Sequence, residues 1–180
     1  SYNVLLHNAN VAEILLPTQI ENLFLIPSNI NLTGAEIELV NEMGRENRLK
    51  KALAPLQDQF EYCIIDCPPS LGILTINALT AAQSVLIPIQ CEYYALEGLG
   101  QLVKTIDLVR DNLNPALHIE GILMTMADGR TKLTEQVIQE VRKHFGDKVY
   151  QSVIPRSVKM SEAPGFGKPI MKYDKDSVAS

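Results

Sequence analysis

The sequence predicts an α/β protein with a mainly parallel, layered sheet, and three observations predict it. Short apolar runs of strand character alternate along the chain with segments of helical period, the pattern of strand-helix-strand units joined by right-handed crossovers. The clearest run, Tyr62 to Ile65, is continuous in apolar residues instead of alternating apolar with polar, as a strand covered on both faces requires. Finally, 180 residues with 46% hydrophobic and 21% charged side chains suffice for one domain with a full core, and no internal repeat or low-complexity linker divides them. A single domain over residues 1–180 is therefore expected.

Each element has its own justification. Ser1 to His7 reads as the tail of a helix without a capping signal, so the first element looks cut short. Glu13 to Leu16 and Leu23 to Pro27 are short apolar runs, and LFLIP resembles a parallel strand that ends at its proline. Asn29 to Gly34 is a turn-rich loop. Ala35 to Met43 and Arg45 to Leu56 carry helical spacing, with Leu49, Leu53 and Leu56 on one face and Arg48, Lys50 and Lys51 mostly off it. The Tyr62 run follows as a strand, and the helix from about Leu71 to Ala82 is apolar enough to need cover on several sides. Ser84 to Pro88 is the next strand. Ala95 to Leu113 is a long amphipathic helix with Leu96, Leu99, Val103, Ile106 and Val109 at three- and four-residue spacing, ending near Asn114-Pro115. Ile119 to Met126, Leu133 to Phe145 and Val149 to Ile154 complete the alternation as strand, helix and strand.

Composition narrows the function classes. No stretch reaches the ~20 apolar residues of a membrane span, and no signal peptide or lipidation motif is visible, so no membrane association and a cytoplasmic location are expected. Cys63, Cys67 and Cys91 form an odd count without zinc or iron-sulfur spacing; reduced, mostly buried thiols are expected. His7, His118 and His144 are far apart and lack carboxylate or cysteine spacing, which argues against a metal site or a hydrolase triad. The net charge of −5 argues against a uniformly basic surface, but residues 1–129 carry 6 Lys/Arg and 15 Asp/Glu whereas residues 130–180 carry 10 and 6. The chain thus has a basic end, which is either a nucleic-acid footprint or a solvated face.

The stretch that organises the chain is FEYCIIDCPPSLGILTINAL, Phe60 to Leu79. Asp66 closes an apolar run at its carboxyl end, where open α/β sheets place ligands, and a carboxylate there is costly to bury unless it reaches a cation, water or the crevice. Pro68 and Pro69 remove two amide donors, fix two φ angles and aim the turn into the next helix. The bland alternative for Asp66 is a cap on that helix.

This stretch resembles the Walker B and switch II segment of the ParA/Soj chromosome and plasmid partition ATPases, a deviant Walker A branch of the P-loop NTPases. The similarity continues through LFLIPSNINLTGAEIELV (Leu23 to Val40), VLIPIQCEYYALEGL (Val85 to Leu99), GILMTMADGRTKL (Gly121 to Leu133) and VIPRSVKMSEAPGFGKPI (Val153 to Ile170). The resemblance implies a three-layer, mainly parallel P-loop NTPase-type sheet with helices on both faces, truncated at both ends, because the family's phosphate loop precedes the first residue here and a final helix follows the last. It implies Mg2+ and ATP as ligands of the full-length parent, an ATP-state homodimer, non-specific DNA binding at the nucleoid, and hydrolysis stimulated by a ParB-type centromere-binding partner. Alone, the fragment is expected to bind no nucleotide, to hydrolyse no ATP and to expose a hydrophobic cleft. Two alternatives stay open: a non-catalytic structural or interaction domain, and a MinD-like sibling.

No phosphate loop is present in the sequence itself. Around Gly167-Lys168 the pattern would need glycine where Glu162 stands and Ser or Thr where Pro169 stands, and Gly98-Leu99-Gly100 has Val103 where a third glycine would be. By resemblance, Asp66 holds magnesium through a water, Cys67, Pro68, Pro69 and Ser70 form the γ-phosphate-sensing switch, and helix-start amides near Leu71 and Gly72 face the phosphates. Thr125, Met126, Pro155 and Arg156 flank the adenine, with a plain surface role as the alternative for Arg156. Glu92 is either an outer acid or a surface loop residue. Arg130 and Lys159 match positions that the family uses for DNA; Lys159 stands where arginine is usual, and Lys168 and Lys172 extend the patch unless this face is merely solvated. Tyr93 and Tyr94 suit packing better than base stacking.

Overall fold

In the computed structural model, which describes residues 1–178, strands and helices alternate as the periodicities predict from Ile73 to Pro155, and the chain forms two compact units. The first comprises Ser1–Ser84 with Lys104–His118; the second comprises Val85–Val103 with the described chain from Ile119.

In the first unit, α1 (Tyr2–His7) stops where Asn8 enters the left-handed region at φ 52, a conformation asparagine tolerates. Leu16–Pro17 and Phe24–Leu25 form β1 and β2, paired antiparallel as Leu16↔Leu25 and Pro17↔Phe24. LFLIP is therefore not a parallel strand. The intervening turn decides this: the Thr18 amide donates to Leu23 O at 3.1 Å, the Ile20 amide donates to Thr18 Oγ1 at 3.1 Å, and Asn22 takes φ 61. α2 (Asn31–Glu38) starts inside the expected loop, because Asn29 Oδ1 accepts the Asn31 amide and nucleates the first turn; a 3-10 turn over Leu39–Asn41 ends it.

α3 (Arg48–Leu53), flanked by 3-10 turns, packs on α4 (Ile73–Ala81). Asn77 on α4, 1% exposed, ties them: its Oδ1 accepts the Leu49 amide at 3.0 Å, and its Nδ2 donates to Arg45 O at 2.8 Å and Ile73 O at 2.9 Å. Asn114 similarly holds the last turn of α4, with Nδ2 donating to Leu79 O and Ala82 O. Val4, Val11 and Leu56 form the neighbouring core with Ile14, Ile26, Leu53 and Phe60.

The strand expected at Tyr62 to Ile65 does not form. Residues 62–68 run without regular structure, and among the described residues no backbone hydrogen bond joins them to a neighbouring strand. Tyr62 and Ile64 are 80% and 94% exposed. Apolarity makes a run fit for a covered strand, but the strand exists only where another strand supplies the ladder. Cys63 and Cys67 lie on this run and are exposed, so of the three thiols only Cys91 is buried as expected.

In the second unit, β3 (Ser84–Gln90), β4 (His118–Ala127) and β5 (Val149–Pro155) form a sheet in that order. The strands are parallel, with α5 (Ala95–Asn112) between β3 and β4 and α6 (Lys132–Phe145) between β4 and β5, the α/β class that the alternation predicts. Ile87, Ile89, Leu99, Ile122, Met124, Val137, Val141 and Val149 fill its core. Thr131 caps α6, its Oγ1 accepting the Thr134 amide at 3.3 Å, with Glu135 in the first turn and Arg142, Lys143 and His144 in the last, matching the helix dipole. α7 (Val158–Glu162) and α8 (Ile170–Tyr173) follow.

Candidate functional site

The candidate residues fall in both units. In the first, Asp66, Cys67, Pro68, Pro69 and Ser70 are exposed and lead into α4. Asp66 has no hydrogen-bond or ion-pair partner among the described residues. Ser70 O accepts from Thr75 Oγ1 at 2.6 Å, which anchors the end of the switch-like segment to the first turn of α4. Gly72 is the N-cap residue of α4, and no side chain caps its amides. Beside it lies a cavity of about 360 Å3 lined by Glu36, Val40, Arg45, Ser70, Gly72, Ile73 and Ile76. Glu36 Oε1 is fully buried there with no hydrogen-bond partner.

In the second unit, the carboxyl ends of three adjacent strands converge, as the sequence predicts for Thr125, Met126, Pro155 and Arg156. Thr125 Oγ1 donates to Ile89 O at 3.0 Å, and Thr125 O accepts the Cys91 amide at 3.1 Å, which fixes the end of β4 to that of β3. On the other side Ala127 pairs with Pro155 and its carbonyl accepts the Arg156 amide at 2.9 Å. Met126, between them, takes φ 54. From Met124 to Ala127 β4 advances three residues while β5 advances two, from Val153 to Pro155, which is a bulge. Glu92 is exposed and accepts from Arg156 Nη2 at 3.0 Å, so the two side chains form an exposed ion pair.

Asp128, not singled out from the sequence, governs the adjoining loop. Its carboxylate accepts Arg130 Nε at 2.9 Å, Arg130 Nη2 at 2.7 Å and the Arg130 amide at 3.1 Å. The Arg130 side chain, and after it the Arg130 amide, hold the Asp128 carboxyl well below the usual carboxylate range, with a smaller contribution from Arg156. The signal was present in Asp128-Gly129-Arg130, where aspartate bonds the backbone two residues on.

Lys159 and Lys168 lie on the segment from α7 to α8, apart in sequence from the strand ends. Lys159 Nζ pairs with Glu162 Oε2 at 3.1 Å, and the same oxygen accepts Tyr173 OH at 3.0 Å. Lys159 foremost, then Tyr173, lowers the Glu162 pKa; the bond to Glu162 raises that of Tyr173. Lys168 and Lys172 are exposed, with Lys168 following the left-handed turn at Gly167, not a phosphate loop. Tyr93 and Tyr94 pack edge-to-face on each other at 5.2 Å and are 75% exposed each. Among the described residues no group of three His, Cys, Asp or Glu side chains is placed to hold a metal ion, and no helix is long and apolar enough to cross a membrane.

A parallel three-stranded sheet flanked by helices defines the class of P-loop NTPase-like α/β folds. Residues 1–119 match the model of a family described as AAA domain. Sporulation initiation inhibitor protein Soj of Bacillus subtilis is 60% identical over 173 residues, 96% of this chain and 68% of that protein. Chromosome partitioning protein ParA of Myxococcus xanthus is 56% identical, over 96% of this chain and 61% of its own length. The chain belongs to the ParA/Soj family. It spans between 61% and 68% of these relatives' length. Among solved structures, cobyrinic acid a,c-diamide synthase from Mycobacterium smegmatis with bound ATP analog and magnesium is 44% identical, with a TM-score of 0.80 over 87% of this chain and 64% of that one. A plasmid partition protein from Borrelia burgdorferi is 25% identical, with a TM-score of 0.73 over 97% and 68%.

Proposed function

We propose that the full-length protein containing this chain is a magnesium-dependent partition ATPase that dimerises with ATP bound, binds DNA without sequence preference, and is stimulated to hydrolyse by a ParB-type centromere-binding partner. The observation that carries this is the run Asp66-Cys67-Pro68-Pro69-Ser70 leading into α4 in a chain 60% identical to Soj. The donor set fits magnesium and a nucleoside triphosphate. Asp66 is an exposed carboxylate without a protein partner, suited to hold a cation through its water, and α4 offers first-turn amides that no side chain caps. When bound, magnesium supplies charge neutralisation at the transferring phosphoryl group.

The chain's own residues then divide the work. Asp66 orients the hydrated cation, and the segment from Cys67 to Ser70, stiffened by Pro68 and Pro69, positions the amides near Gly72 toward the γ-phosphate. In the second unit Thr125, Met126 and Pro155 wall the base, and Arg156, steered by Glu92, stacks its guanidinium on it. Arg130, Lys159 and Lys168 supply positive charge to DNA phosphates, which fits the basic balance of residues 130–180 and a nucleoid-associated location in the cytoplasm. The 180-residue sequence contains no glycine-rich phosphate loop, so by itself it is expected neither to bind ATP nor to turn it over.

The test is magnesium-dependent ATP turnover by the full-length protein, with and without DNA. Asp66→Ala is expected to reduce turnover by about two orders of magnitude or more. An unaltered rate, or no turnover in the wild-type protein under any of these conditions, overturns the reading.

A further inference from the structure

The feature that the roles above leave unused is Glu36. It sits on α2, and its Oε1 is the one buried side-chain oxygen or nitrogen without a hydrogen-bond partner among the described residues. A buried carboxylate oxygen with no donor is costly, so a native structure that keeps one has a reason for it. The surroundings supply the reason. The oxygen is pressed against the N-cap residue of α4: a Cβ built on Gly72 would stand 2.3 Å from Glu36 Oε1 and 3.7 Å from Ser70 Oγ, so both oxygens border the same small volume, which only glycine leaves open. The first-turn amides of α4 have no side-chain cap, and a carboxylate is the group that the positive end of a helix favours. The cavity lined by Glu36, Ser70, Gly72 and Ile73 gives the segment before α4 room to shift. The switch-like segment itself carries donors of the kind Oε1 lacks: the Ser70 hydroxyl and the amides at the start of α4.

We propose that Glu36 is a positioning residue that latches the segment from Asp66 to Gly72 when nucleotide is engaged, with its orphan oxygen accepting from Ser70 Oγ or a first-turn amide of α4. The latch rests on the ATPase reading and adds a regulatory element to it. In the conformation described here the acceptor is unpaired, so the unlatched state carries the cost of a bare buried oxygen, and closure removes it. Arg45, also at the cavity, makes no hydrogen bond to Oε1; its Nη1 donates to Val40 O and its Nε pairs with Glu46.

The experiment uses full-length protein and two readouts: steady-state turnover of Mg-ATP, and hydrogen-deuterium exchange of the peptide covering residues 66–76 with and without Mg-ATP. Wild-type protein is expected to gain protection there on nucleotide addition. Glu36→Ala is expected to lose most of that gain and to lower kcat about tenfold while KM stays within about twofold, the pattern of an interaction made after binding. Glu36→Gln, whose amide oxygen still accepts, is expected to restore much of both. Gly72→Ala leaves Glu36 in place but drives a methyl group into its carboxylate, so it is expected to reproduce the Glu36→Ala phenotype, and it keeps the test decisive if Glu36→Ala unfolds. Wild-type turnover together with unchanged protection and kcat in the folded variants overturns the latch alone. Absence of wild-type turnover overturns the ATPase reading, and the latch with it.

Discussion

The run from Tyr62 to Asp66 and the run from Val85 to Gln90 are alike in sequence, each a set of consecutive apolar residues closed by a polar one, and they meet opposite fates. Ile87 and Ile89 are 3% and 6% exposed in β3, whereas Ile64 is 94% exposed in a stretch with no ladder. The difference is neither propensity nor hydrophobicity. β3 has β4 beside it, with Thr125 donating and accepting across the gap, and residues 62–68 have no neighbouring strand among the described residues. Strand character read from a sequence is a statement about fitness to pair; pairing is a property of two segments.

Amide exchange and unfolding measurements test that contrast directly. Amide exchange followed residue by residue is expected to be on the order of a thousandfold or more faster at residues 62–67 than at residues 122–125, because only the latter must break a ladder to open. Comparable rates would mean that the first run is paired after all. Next, Asn77→Ala removes a buried side chain that makes three hydrogen bonds in the first unit, leaving the Leu49 amide without its acceptor and the carbonyls of Arg45 and Ile73 without their side-chain donor. Urea unfolding is expected to report a loss of about 3 kcal/mol. In the second unit Thr131→Ala removes a single helix cap, and the same measurement is expected to give about 1 kcal/mol.

The smallest effect is a titration. The Arg130 side chain holds Asp128 below its ordinary value, so the ionised form favours the ordered loop. Its contribution is complete at neutral pH, above the unfolded carboxyl's pKa, and disappears as pH falls through that value toward the depressed one in the fold. Carboxyl NMR is expected to place the Asp128 midpoint below the usual aspartate range. Asp128→Asn is expected to abolish the accompanying acid shift of the Arg130 amide.

The helices and strands from Ile73 to Pro155 were legible because each is long enough for its period to dominate, and their ends fall within two residues of the expected ones; the short α7 and α8 gave no such signal. Met126 and Arg156 were legible as strand-end residues for the same reason. What was not legible depends on partners remote in sequence. Glu36 and Gly72 are 36 residues apart, and nothing in either local pattern announces that one needs the other to lack a Cβ. Asn77 reads as an ordinary polar residue in an apolar helix until the backbones of Arg45 and Leu49 are brought to it. LFLIP failed in the other direction: its composition suits a parallel strand, and a five-residue turn chemistry around Thr18 and Asn22 folded it back on itself.

The bulge in β4 has a consequence for how this family member tolerates change. One extra residue between Met124 and Ala127 lets Thr125 serve β3 while Ala127 serves β5, two neighbours that a regular pleat could not satisfy in this phase. A substitution at Met126 alters a side chain, but deleting the residue would slide the strand back into even register and rotate every later group by half a pleat. The Arg156 amide would lose its acceptor, although all the apolar residues of the core would survive. Length at this point is therefore under tighter constraint than identity, and insertions or deletions there are expected to be far rarer among functional variants than exchanges of Met126 itself.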